Sequence, residues 1–264
     1  MKEDYPRVLV AAPTYSGMEY CQDKFLNALK EIDHPNFEIL IIDNGEDREY
    51  FKRLESVEGI RAMKLSLKGE KPMKKIIRTR NKILQIGALE NFDYILMMDS
   101  DVIPPPQILK KLISHNKDIV SGVYYNIFTI NGKDCVRPVA WVGVSDEEYE
   151  KVKKHLSEKE IKVIERNGGL RRFLTLEEAS SGGLVKVIIP SAGCMLLSKK
   201  AFSVLKYGLL EMSDGLRTSD DVFFSIMANK KGFEAFVDTS LVCQHLTEGK
   251  MVRKEDALYH PAYE

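Results

Sequence analysis

The sequence carries no surplus of either charge: Lys plus Arg number 39, and Asp plus Glu number 39, in 264 residues. A chain that lives on nucleic acid or on an anionic membrane surface needs a basic excess, so the balance argues against both partners. Long hydrophobic runs are missing too, none approaching the roughly 18–20 residues of a membrane span. The start, Met1-Lys2-Glu3-Asp4, lacks the basic and apolar regions of a signal peptide. Cysteine is scarce: Cys21, Cys135, Cys194 and Cys243 stand far apart and form no Cys-x-x-Cys pair. Three of them have apolar neighbours, where a thiol packs as a small hydrophobe. A reduced, cytoplasmic protein without structural zinc is expected. Internal repeats and linker-like stretches are absent as well. One domain is therefore expected over residues 1–264, a length that supports a large α/β core.

What is present is a regular alternation of apolar strands and helices over residues 1–122. Runs at 7–12, 37–42, 60–67, 94–98 and 118–122 read as strands, the first ended by Pro13 and the second by the turn cluster Asp43-Asn44-Gly45. Between them, Met18, Cys21, Phe25 and Leu29 recur at helical spacing behind a Ser16 cap. Ile76, Arg80, Ile83, Leu84 and Gly87 mark a longer helix, and shorter ones cover 47–56 and 106–114. This is the pattern of an α/β fold with a doubly wound, mostly parallel sheet. After Gly122 the alternation breaks. Residues 123–143 read as irregular hairpins, 145–165 as a strongly charged helix, and 166–183 as a glycine-rich mobile loop suited to closing over a ligand. Regular elements return at 184–190, 193–197 and 198–206, then at a helix opened by Ser219-Asp220-Asp221 and a strand at 233–237. From Thr239 the chain is less regular.

The best-defined stretch is Tyr94 to Met98 followed by Asp99, Ser100 and Asp101. Five apolar residues in a row fit a strand buried on both faces. Pro104, Pro105 and Pro106 then end it, because proline fixes φ and removes ladder donors. Open α/β sheets bind ligands just outside the carboxyl ends of such strands. Asp99 and Asp101 therefore read as a metal or phosphate site. The other reading is a plain turn whose Ser and Asp cap the next helix. With 16 Asp in the chain, roughly one Asp-x-Asp is expected by chance, so the motif alone does not decide.

Four segments, in this order, resemble a family 2-type glycosyltransferase with the GT-A fold. They are Ala12-Pro13-Thr14-Tyr15; Ile41-Ile42-Asp43-Asn44-Gly45; Arg78-Thr79-Arg80-Asn81 leading to the Asp-x-Asp strand; and Pro190 to Ser198 joined to Ser219-Asp220-Asp221 and then His245. The resemblance covers about residues 7–122 and 184–247, with 123–183 outside it. It implies a Rossmann-like GT-A core with residues 1–122 as the nucleotide-sugar half. Residues 123–264 would form the acceptor side, comprising an irregular insertion at 123–183 and a C-terminal tail. The implied reaction moves a sugar from a nucleoside diphosphate sugar, UDP-linked first and GDP-mannose next, to a hydroxyl acceptor such as a carbohydrate, with inversion. The implied cofactor is Mn²⁺ or Mg²⁺ acting on the diphosphate as a Lewis acid. Oxygen ligands with at most one imidazole suit those ions.

By this resemblance, Asp99, Asp101 and His245 hold the metal. Pro13, Thr14, Tyr15, Asp43, Arg80, Asp99 and Ser100 meet the nucleotide. Asp221 is the base of the transfer, with Asp220 beside it. The family usually has Glu-Asp where this chain has Asp220-Asp221, which shortens the reach of the first carboxylate.

The residues themselves leave alternatives open. Asp43 can simply form its turn, and His245 can be a buried histidine bonded to backbone. Arg80 lies on an apolar stripe where an unpaired charge is costly, so it either snorkels or faces a diphosphate. Ser219 can cap its helix and Asp221 favour the dipole. Lys74 and Lys75 read as a solvated helix start or as an aid to the phosphates. Two other functions stand beside the transferase. A sugar-phosphate nucleotidyltransferase would carry a Gly-rich, Arg-containing turn that residues 11–15 lack. A GT-A-like module would bind the nucleotide sugar without turnover. The oligomeric state is not legible.

Overall fold

The computed structural model describes residues 5–130, 133–166, 169–210, 218–247 and 250–252. The expected tail beyond Val252 and Gly168 of the expected loop lie outside the described residues.

The alternation read in the first part of the chain becomes β1 (Val8–Thr14), a 3₁₀ turn (Ser16–Met18), α1 (Glu19–Lys30), β2 (Phe37–Asp43), α2 (Arg48–Glu55), β3 (Arg61–Lys64), α3 (Pro72–Leu89) and β4 (Tyr94–Met98). A short β5 (Val102–Ile103), α4 (Ile108–Ser114) and β6 (Ile119–Val123) follow. The irregular middle holds a hairpin of β7 (Tyr125–Ile130) and β8 (Lys133–Pro138), then β9 (Trp141–Gly143), α5 (Asp146–Lys153), α6 (Glu158–Arg166) and β10 (Arg171–Phe173). The chain returns through β11 (Leu184–Val187), β12 (Cys194–Ser198), α7 (Lys199–Phe202), α8 (Asp220–Lys230), β13 (Ala235–Val242), β14 (Gln244–Thr247) and β15 (Lys250–Val252).

Eight strands form the central sheet in the order β11-β13-β6-β12-β4-β1-β2-β3. β4, β1, β2 and β3 run parallel, as do β6 and β13. β12 is inserted antiparallel between β4 and β6, and β11 closes one edge antiparallel to β13. The result is a mixed α/β fold with a large, mainly parallel central sheet. The period of two along a strand sends alternate residues to opposite faces. Val8, Val10 and Ala12 join one apolar cluster with Phe25, Leu29 and Leu112. Leu9 and Ala11 join another with Ile83, Ile86 and Phe224. Helices on both faces are why β1 is buried at every position.

Four local expectations change. Pro13 does not end β1; it pairs opposite Ile42. Asn44 N–H bonds the Thr14 carbonyl, so Thr14 faces β2 and Pro13 faces the other side, where pairing to β4 has already stopped at Ala11. A missing donor costs nothing there. Ser16 does not cap α1 but opens the 3₁₀ turn. The charged stretch 145–165 is two helices, because Ser157 and Glu160 exchange hydrogen bonds as a second capping box after that of Ser145 and Glu148. The described part of 166–183 holds regular structure: β10 pairs with β9, and a bidentate Arg172–Glu178 pair braces the turn that follows.

Because β12 runs against β4, its amino end arrives beside the carboxyl end of β4, with Cys194 opposite Met98. β14 pairs with β5 and sets His245 opposite Val102. The amino end of α8 reaches the same edge.

Candidate active site

β4 stops in a tight turn. Val102 N–H bonds the Asp99 carbonyl at 3.0 Å, and Asp99 N–H bonds the Gly193 carbonyl at 2.9 Å. Asp is favoured at the first position of such a turn. The turn and site readings are thus compatible: the turn presents Asp99 and Asp101 at the mouth of a cleft of about 320 Å³. Pro13, Thr14, Tyr15, Asn44, Arg80, Ser100, Tyr124, Asp220 and Asp221 also line it.

Arg80 projects from α3 and is almost fully buried. Its Nη1 donates to Asp220 Oδ2 at 2.6 Å and its Nη2 to Asp99 Oδ1 at 2.5 Å. The guanidinium lies 5.2 Å from the ring of Tyr207, whose backbone N–H and carbonyl are both bonded by the Asn81 side chain. Burial alone would pull the Arg80 pKa down, but Asp99 and Asp220 hold it well above the ordinary value. The charge on the apolar stripe is therefore met by carboxylates of this chain. Burial pushes the Asp220 carboxyl up, Arg80 opposes that, and Asp221 and Asp99 add to it.

His245 is buried on β14. Its Nδ1 lies 2.9 Å from the Tyr125 carbonyl, which can only accept, so Nδ1 carries the proton. Nε2 is left facing Asp101 Oδ2 at 3.5 Å. Burial pulls the His245 pKa down, yet the hydrogen bond and charge of Asp101, the Tyr125 carbonyl and Asp99 raise it overall. The backbone-bonded and ligand readings of this histidine are compatible, since metal-binding imidazoles usually donate their other N–H in this way. A carboxylate oxygen and an imidazole nitrogen are both atoms that can hold a divalent cation. Among the described residues no group of three or more His, Cys, Asp or Glu side chains forms a cation cage. Asp99 is turned toward Arg80.

The nucleotide candidates are only partly brought together. Pro13, Thr14, Tyr15 and Ser100 line the cleft. Thr14 Oγ1 pairs with the Tyr50 hydroxyl at 2.7 Å, while Tyr15 is 45% exposed. Asp43 is fully buried. One of its oxygens accepts the Gly45 N–H at 2.7 Å and the other Lys64 Nζ at 2.5 Å, and its neighbour Asn44 lines the cleft instead. The turn reading accounts for the Gly45 bond, whereas the Lys64 pair comes from the next strand. Lys75 pairs with Glu46 at 3.3 Å. Asp221 borders the cleft with one oxygen accepting the Val222 N–H at 2.8 Å, and Ser219 makes no side-chain cap bond. Sequence reasoning missed Asn44, Tyr124, Gly193 and Tyr207. The one signal for Tyr124 was an aromatic pair just past the end of an apolar strand.

The sequence model for glycosyl transferase family 2 matches residues 10–157. Dolichol-phosphate mannosyltransferase of Pyrococcus furiosus is 29% identical over 128 residues, 45% of this chain and 33% of that protein. The chain thus spans about a third of that relative's length. Among solved structures, mannosyltransferase PcManGT from Pyrobaculum calidifontis, in complex with GDP-Man and Mn²⁺, gives a TM-score of 0.53 at 13% identity over 93% of this chain and 59% of that one. GalNAc-T7 with UDP, GalNAc and Mn²⁺ gives 0.59 at 12% identity over 94% and 45%. At such identities the likeness is one of fold.

Proposed function

Since the chain belongs to glycosyl transferase family 2, we propose that its cleft transfers a sugar from a nucleoside diphosphate sugar to a hydroxyl acceptor, with inversion and with a divalent cation at Asp101 and His245. Residues 1–122 form the donor half of one domain, and the remainder faces the acceptor.

The carrying observation is the charge of the cleft wall. Among the described residues that line it, Asp99, Asp101, Asp220 and Asp221 stand with one guanidinium, that of Arg80, while Arg171 acts on Asp221 from outside the lining. Such a wall repels a diphosphate at close range unless a cation sits between them. Asp101 and His245, through its Nε2, are the residues that would hold it, and Mn²⁺ or Mg²⁺ bound there would supply Lewis-acid chemistry toward the leaving diphosphate. Arg80 bonds Asp99 with one arm and Asp220 with the other and so holds the two side by side. Because Asp220 is bonded to Arg80, Asp221 is the carboxylate left to act as base. It takes the acceptor hydroxyl proton as the new bond to the anomeric carbon forms and the bond to the diphosphate breaks. Tyr15 and Asn44, both lining the cleft, would meet the nucleoside.

UDP sugars are the favoured donors. GDP-mannose stands next, and the mannosyltransferase relative and the fold neighbour solved with GDP-Man support testing both. No helix among the described residues is long and apolar enough to cross a membrane. The four cysteines are buried.

Calorimetry with UDP and GDP sugars, with and without Mn²⁺, tests the reading alongside assays of nucleotide release over a panel of hydroxyl acceptors. Mn²⁺-dependent binding and acceptor-stimulated release are expected. Binding without release for any acceptor would favour a non-catalytic module. Pyrophosphate formed from a nucleoside triphosphate and a sugar phosphate would favour a nucleotidyltransferase.

A further inference from the structure

We propose that Tyr124 is a positioning residue for the cation site: its ring holds the His245 imidazole in place. This rests on the cation reading above.

Tyr124 sits between β6 and β7 on backbone pinned from both sides. Cys243 N–H bonds the Val123 carbonyl and Val139 N–H bonds the Tyr124 carbonyl, each at 2.8 Å. The side chain is buried yet borders the cleft. Its oxygen accepts the Gly193 N–H at 3.3 Å, and the Gly193 carbonyl in turn accepts the Asp99 N–H. A Cβ at Gly193 would lie 2.8 Å from the Tyr124 hydroxyl oxygen and 2.9 Å from Asp99 Oδ2. The phenol and the carboxylate thus converge over a backbone atom that must stay bare.

The ring contributes separately. It meets His245 edge-on, with centroids 5.2 Å apart and planes at 64°. The carbonyl of the next residue, Tyr125, takes the Nδ1 proton. Two consecutive residues therefore fix one imidazole: the carbonyl sets its tautomer and the ring sets its plane. Nε2 is held toward Asp101. An imidazole free to turn about its Cβ–Cγ bond would offer that nitrogen only part of the time. Outer partners that hydrogen-bond a ligating imidazole commonly contribute about 10–100-fold in metal affinity, and the ring acts on the same imidazole.

The test uses the full chain and Mn²⁺ alone as probe, followed by electron paramagnetic resonance. Tyr124→Phe keeps the ring and should bind Mn²⁺ as the parent does. Tyr124→Met keeps bulk but loses the ring and should bind about 10–100-fold more weakly, with cooperative melting retained. Equal Mn²⁺ affinity in the Met variant and the parent would overturn the proposal, as would equal losses in both variants. If the Met variant does not melt cooperatively, NMR of the parent with Mg²⁺ decides. Contacts between the ring protons of Tyr124 and His245 should persist with Mg²⁺ bound, and their disappearance would overturn the assignment. A parent protein that binds no Mn²⁺ would remove the cation reading itself, a result separate from any difference among the Tyr124 variants.

Discussion

Arg80 and Asp220 stand 140 positions apart in the chain and 2.6 Å apart in space. The other arm of the same guanidinium reaches Asp99 at 2.5 Å. One cation from α3 thus ties the amino end of α8, with its acidic pair, to the turn after β4. Removing it would disturb both at once.

Arg80→Met should lower stability by about 3–5 kcal/mol, the usual effect of leaving a buried charge without its partner. The loss should depend on pH. Burial already holds the Asp220 carboxyl above its ordinary pKa while Arg80 opposes the rise, so the variant raises it further. A carboxyl raised in the folded state favours folding below its unfolded pKa, and that contribution is lost as pH climbs through the folded value. The deficit against the parent should therefore be smaller at acidic than at neutral pH. Urea titrations at both measure it; a deficit that does not change with pH would exclude Asp220 as the stranded group.

Asp101→Asn and His245→Ala should keep the fold and lose at least about tenfold in Mn²⁺ affinity. Mn²⁺-dependent UDP or GDP binding should fall with it in calorimetry. Undiminished binding in either variant would remove that residue from the cation site.

Asp221→Asn should reduce kcat by roughly 10²–10⁴ while donor binding stays near normal. Asp220→Asn should act differently, because it weakens the bond to Arg80: stability falls, and turnover falls less than in the Asp221 variant. A dead Asp220→Asn beside an active Asp221→Asn would reverse the two roles. Retention of the donor's anomeric configuration in the product would exclude an inverting transfer.

The brace at β10 makes a prediction about motion. Glu178 accepts both arms of Arg172 at 2.7 and 2.9 Å and the Thr175 N–H at 2.8 Å. Amides of residues 171–178 should be protected from hydrogen exchange before any ligand is added, and Glu178→Gln should speed their exchange. Fast exchange in the parent, slowed only by UDP with Mn²⁺, would restore the closing loop expected from the glycines.

Some of this site was legible because its causes are local. Tyr94 to Met98 is a run of apolar residues ended by acids and prolines, and β4 has those bounds. The capping box Ser157-x-x-Glu160 was also written in the chain, but the shared apolar stripe of 145–165 concealed it. Asp43 shows the limit of the method. A strand-ending Asp before Asn-Gly announces a turn, while its burial depends on Lys64 arriving from the next strand.

Periodicity, turn residues and strand ends determined the order of elements, the mainly parallel sheet and the edge where polar groups gather. These follow from interactions among residues a few positions apart. Tertiary structure alone decided that Arg80 binds two carboxylates, that the free nitrogen of His245 meets Asp101, and that Tyr124 lies against that imidazole. Hydrogen bonds and ring contacts act over a few ångströms, and only the packing of distant strands and helices brings those groups within reach.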